Sequence, residues 1–80
     1  MKFTYDPSVN VAYLRLSDEQ AQVDTICISE ELNVDLAPDG KVYGIEFLNP
    51  NEQFQRDHLN KLLYINEETG DRSELPLTRG

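Results

Sequence analysis

Three carboxylates, Asp35, Asp39 and Glu46, recur around one Asp-Gly pair. Paired carboxylates can move protons as general acid and base, or hold a hard cation through oxygen ligands. A calcium loop needs oxygen ligands at dense alternate positions, and Asp35-Leu36-Ala37-Pro38-Asp39 lacks them. The simpler reading gives Asp39 to a turn, Asp35 to an outward strand position, and Glu46 to solvent or a partner. Cys27 and His58 are the single cysteine and single histidine, and they lie in different halves of the chain. That spacing supports neither a thiol with its base nor a zinc ligand set. Cys27 reads as a small core hydrophobe and His58 as a surface residue of a helix. No Ser/His/Asp arrangement, P-loop or GxGxxG is present. No catalytic residue, cofactor or metal site is therefore assigned, and the reading leans away from an enzyme.

The remaining polar and aromatic residues suit recognition better than catalysis. Tyr13 shares one side of an alternating run with Val11 and Arg15. With Tyr43 and Glu46 these form the candidate interface, since tyrosine and arginine are enriched where proteins meet. Asp6 and Pro7 carry turn chemistry, as do Asp39 and Gly40. Gly44, inside a strand-like run, suggests a bulge or a bulky neighbour lying across it.

The elements that must position these residues are strands. Phe3 and Tyr5 alternate with Lys2 and Thr4, and Asp6-Pro7-Ser8 ends that run. Val9 to Leu16 places Ala12, Leu14 and Leu16 opposite Val11, Tyr13 and Arg15. Val23 to Ser29 is rich in β-branched residues, which favours a strand. Leu32, Val34 and Leu36 alternate with Asn33, Asp35 and Ala37. Asp39-Gly40 then marks a tight hairpin into Val42–Leu48. After Asn49-Pro50-Asn51 the spacing of Phe54, His58, Leu59, Leu62 and Leu63 predicts a short helix. Tyr64-Ile65 begins a last strand, and Leu75-Pro76-Leu77 is its partner or an extended tail. The expected fold is α+β, an antiparallel four- to five-stranded sheet with a C-terminal helix packed on one face. One domain spans residues 1–80, with a β core over 2–54 and the helix and tail over 55–80.

Composition bounds the function. Fifteen acids against seven bases give a net charge of −8, and residues 1–48 hold nine of the acids and three of the bases. Such a surface repels phosphate backbones, so direct nucleic-acid binding is disfavoured. It suits a solvated face or a basic protein partner. Met1-Lys2 leads into strand-like alternation rather than an apolar signal segment, and no run approaches the roughly 20 apolar residues of a membrane span. A cytoplasmic location is expected.

Several pieces together resemble a known family. Tyr5-Asp6-Pro7, Val11-Ala12-Tyr13-Leu14-Arg15-Leu16, Val34-Asp35-Leu36, Asp39-Gly40 and Gly44-Ile45-Glu46-Phe47-Leu48 occur in the order seen in the DUF2283 family of small bacterial proteins. The resemblance covers roughly Lys2 to Phe54. It departs at Asn10, where the family usually carries an acid. The resemblance implies a fold rather than an activity. Relatives of this kind can be encoded beside small toxin-like proteins, which by analogy suggests an antitoxin-type role toward a basic partner.

Three readings follow. The first is a non-enzymatic interaction module. The second is a small enzyme or ligand-binding domain with a site between subunits around Tyr13, Arg15 and Glu46. The third is a structural subunit that self-associates. A homodimer is expected, because one short helix can cover only one of two partly apolar sheet faces. That argument puts Val11 and Tyr13 in the dimer contact.

Overall fold

The computed structural model describes residues 1–78. Two compact units divide the chain, residues 1–50 and 51–80. In the first, β1 (Lys2–Asp6), β2 (Val11–Arg15), β3 (Asp24–Ser29), β4 (Leu32–Leu36) and β5 (Val42–Leu48) form one antiparallel sheet in the order β1-β2-β5-β4-β3. The order follows from three hairpins, β1–β2, β3–β4 and β4–β5. The long return from β2 to β3 lets β5 pair with β2 and close the centre.

Turn chemistry is explicit in two of these hairpins. The Asp6 carboxylate accepts hydrogen bonds from the Ser8 hydroxyl at 2.6 Å and the Ser8 N–H at 3.0 Å. Those two donors hold its pKa below the ordinary value. At the β4–β5 turn, Asp39 accepts from the Lys41 N–H at 3.0 Å, and Gly40 has φ +85°. A Cβ on Gly40 would meet nothing within 4 Å, so only the backbone resists a side chain there. Gly40→Val is therefore expected to lower stability by about 1–2 kcal/mol, the cost of holding a β-branched residue in a left-handed conformation. An unchanged urea midpoint would refute this. At the opposite end of the sheet, Asn10 and Asn49 both have positive φ. They are joined by side chains at 2.6 Å and by the Asn49 N–H to the Asn10 carbonyl at 3.1 Å. Asparagine tolerates that conformation better than most residues.

Register sorts the side chains of this sheet onto two sides. Phe3, Leu14, Ile45, Val34 and Ile26 are successive cross-strand partners, so they form one apolar row spanning all five strands. Tyr5, Ala12, Phe47 and Leu32 form a second row beside it. Ala12 is buried, most of the others are half-buried, and Ile26 is 43% exposed. Thr4, Tyr13, Glu46, Asn33 and Cys27 make a row on the other side, with Gly44, Asp35 and Thr25 as its neighbours.

The expected C-terminal helix is not there, and the fold is mostly β rather than α+β. Among the described residues helical geometry is limited to α1 (Pro50–Gln53), and β6 (Lys61–Ile65) pairs antiparallel with β7 (Arg72–Pro76) as a separate two-stranded sheet. The apolar spacing of Phe54, His58, Leu59, Leu62 and Leu63 fits a helix, but the backbone between them does not. His58 has φ +63° and Asn60 φ +55°, two left-handed residues that a right-handed helix cannot contain. The Asp57 carboxylate accepts the Leu59 N–H at 3.1 Å, a local bond that competes with helical pairing. His58 is thus an exposed turn residue. Beyond it, Lys61–Ile65 carries leucines, tyrosine and isoleucine that pair with β7 in register Leu62↔Leu75 and Tyr64↔Ser73.

The β6–β7 hairpin is held at both ends. Asn66 accepts from the N–H groups of Glu68 and Thr69, and Gly70 at φ +80° completes the turn. At the open end the buried Asn60 side chain donates to the Thr78 carbonyl at 3.0 Å and accepts from the Thr78 hydroxyl. Among the described residues no helix is long and apolar enough to cross a membrane.

Candidate functional site

The chemistry-bearing residues gather on the polar side of the five-stranded sheet. Tyr13 leaves β2 directly opposite Glu46 of β5. Its ring does not stand upright. It leans diagonally across Gly44 of β5 until the hydroxyl donates to the Asp35 carboxylate of β4 at 2.7 Å. A Cβ built on Gly44 would lie 2.1 Å from that hydroxyl oxygen and 2.4 Å from the ring carbon bearing it. The glycine is therefore a slot for the tyrosine. The other Asp35 oxygen accepts from the Thr25 hydroxyl of β3 at 2.6 Å. One carboxylate thus ties β2 to β3 across the intervening strands. Beside it, Asn33 donates to Glu46 at 2.9 Å, linking β4 to β5.

A register shift shapes the next step of the sheet. Asp35 opposes Gly44 while Leu36 opposes Val42, so Tyr43 is an extra residue in β5. The Arg15 guanidinium lies 5.4 Å from the centre of the Tyr43 ring, within cation–π range. Its nitrogens donate to the carbonyls of Ser17 at 2.7 Å and Asp18 at 3.1 Å. Arg15 therefore organises the start of the β2–β3 connection. Ser17, Glu19, Asp39, Lys41 and Tyr43 line a cleft next to it.

This arrangement limits the chemistry. Burial pushes the Tyr13 phenol well above its ordinary value, with the Asp35 hydrogen bond and charge adding to the effect. A phenol held protonated donates a hydrogen bond but does not serve as a base near neutral pH. Asp35 has both oxygens engaged, and one oxygen of Glu46 takes the Asn33 amide. No group of three or more His, Cys, Asp or Glu side chains among the described residues is placed to hold a metal ion. The polar side is a cross-strand clasp.

The structure brings Tyr13 and Glu46 together, adds Asp35, Thr25 and Asn33, and directs Arg15 away to the loop. Val11 lies at the Asn10 end of β2, opposite Leu48. Cys27 is exposed rather than in the core, its thiol donating to the Ser29 carbonyl at 3.4 Å. The bond from Tyr13 to Asp35 was not legible in the sequence. The two residues share alternation parity with Gly44 once the order β2-β5-β4 is known, but the runs themselves do not state that order.

The family described as a protein of unknown function, DUF2283, matches residues 2–49. The chain belongs to the DUF2283 family. The match ends where the five-stranded sheet ends, so the DUF2283 region corresponds to β1–β5 with the clasp, and the β6–β7 hairpin lies outside it. No curated protein and no solved structure matches the chain.

Proposed function

We propose that this DUF2283 domain is a non-enzymatic protein-interaction module whose docking surface is the apolar side of the five-stranded sheet. One observation carries the reading. Phe3, Leu14, Ile45, Val34 and Ile26 run as an unbroken apolar row across five strands, in a domain where Ala12 is the buried core hydrophobe. Continuous apolar rows at a protein surface mark places where another surface binds. The polar side supports the same reading, because its carboxylates are spent on holding strands together. The test is fluorescence of 8-anilinonaphthalene-1-sulfonate with about 1 μM protein, a concentration at which weak association is absent. Enhanced emission that falls in Ile26→Lys is the expected result. No enhancement would mean that the chain covers the row itself, and the reading would fail.

The net charge favours a second reading, an antitoxin-like module that neutralises a basic partner. Its acids concentrate in connections, at Asp18, Glu19, Glu30, Glu31 and Asp39. A basic partner held by those residues dissociates as salt rises, because exposed charge pairs are screened. A partner that stays bound in high salt belongs to the apolar side instead.

A further inference from the structure

We infer that the occupant of the apolar row is a second copy of this chain, stacked face to face so that two sheets form a sandwich. This rests on the docking reading above and adds the identity of the partner. Charge is the first argument. Each copy carries −8, so two copies repel wherever their carboxylates approach. The apolar side is the surface that avoids this. By register only Asp24, at the corner opposite Leu36, shares it among the acids of β1–β5, whereas Asp35 and Glu46 project from the other side. A basic partner would find almost no acid on the row, and a second apolar row is complementary to it. Two-fold pairing of like surfaces is also the commonest mode of association.

Area is the second argument, and it sets the strength. Five strands about 4.8 Å apart, the shortest of them five residues long, share a footprint of roughly 24 by 17 Å, or about 400 Å² on each copy. Permanent dimers bury far more, and total areas below about 1,200 Å² belong to reversible encounters. The pair is therefore weak and reversible. The stacked sheets lie about 10 Å apart with strands within about 30° of alignment. The edge strand β3, exposed along its length, offers a rival contact through strand pairing, and the sandwich differs from it in which residues matter.

Sedimentation equilibrium of the whole chain from about 1 to 300 μM tests this. The weight-average mass should rise from 9.2 kDa toward twice that value. Salt should increase the dimer fraction by screening the like charges, the opposite of its effect on a basic partner. Ile26→Lys on β3 and Leu14→Lys on β2 should each abolish the rise, and Val11→Lys, on the opposite side that the alternation alone had favoured for the contact, should leave it unchanged. Far-UV circular dichroism checks that each variant folds. Methyl NMR of the unmodified chain is independent of them. Signals of Ile26, Val34, Ile45 and Leu14 should shift with concentration while that of Val11 stays fixed. A monomer at every concentration overturns the inference, and enhanced dye emission in that same protein would leave the docking reading standing. Loss of the dimer in Ile26→Lys alone overturns it in favour of β3 edge pairing. A dimer that survives both lysines, or shifts confined to Val11 or to residues 51–78, overturns it in favour of another surface.

Discussion

Gly44→Ala is expected to destabilise the domain by about 2 kcal/mol, far more than alanine for glycine usually costs in a strand. The added carbon cannot coexist with the Tyr13 hydroxyl 2.1 Å away, so the ring must swing off its slot. The swing breaks the bond to Asp35 and exposes a ring face that the backbone of β5 now covers. The tyrosine end is movable, which is why the cost is a lost interaction rather than a misfolded sheet. A double-mutant cycle isolates the effect. In a Tyr13→Ala background the slot is empty, and Gly44→Ala should be close to neutral or slightly stabilising, since alanine restricts the unfolded chain. Urea midpoints of the four proteins give the coupling. Equal costs in both backgrounds would show that Gly44 is needed for the bulge beside Tyr43 and not for the tyrosine.

The second large effect is expected at Asp35. Asp35→Ala removes the shared acceptor of Tyr13 and Thr25 and should cost about 2 kcal/mol, as charge-assisted bonds at a partly exposed site do. It should also change the alkaline limb of the stability curve. The folded Tyr13 phenol holds its proton above the ordinary value of 10.0, while the unfolded phenol releases it there. Above that pH the folded state binds more protons than the unfolded state, so stability falls as pH rises. Below it the phenol is protonated in both states and contributes no slope. Tyr13→Phe should therefore lose stability less steeply above pH 10 than the unmodified protein. Asp35→Ala should lie between the two, because burial persists while the carboxylate is gone. Urea midpoints measured from pH 8 to pH 11 check this. Identical slopes in all three proteins would show that Tyr13 titrates normally.

Much of this protein was determined by the sequence alone. The alternation of Leu32–Leu36 and Val42–Leu48 about Asp39-Gly40 specifies a hairpin, because a side-chain period of two and a residue free to take positive φ leave few other folds. The ordered pieces from Tyr5 to Leu48 also carry the family, whose match stops at residue 49. The same alternation divides Tyr13 from Leu14. Tertiary structure decided the rest. Period alone does not say that β5 lies between β2 and β4, and without that order Tyr13, Gly44, Asp35 and Thr25 remain four unconnected residues. The spacing from Phe54 to Leu63 satisfied a helix, and the left-handed backbone at His58 and Asn60 overruled it. Helical periodicity records which side chains are apolar. It does not record whether each backbone unit between them can take the right-handed conformation, and here two of them are left-handed, and the leucines that follow lie in a strand.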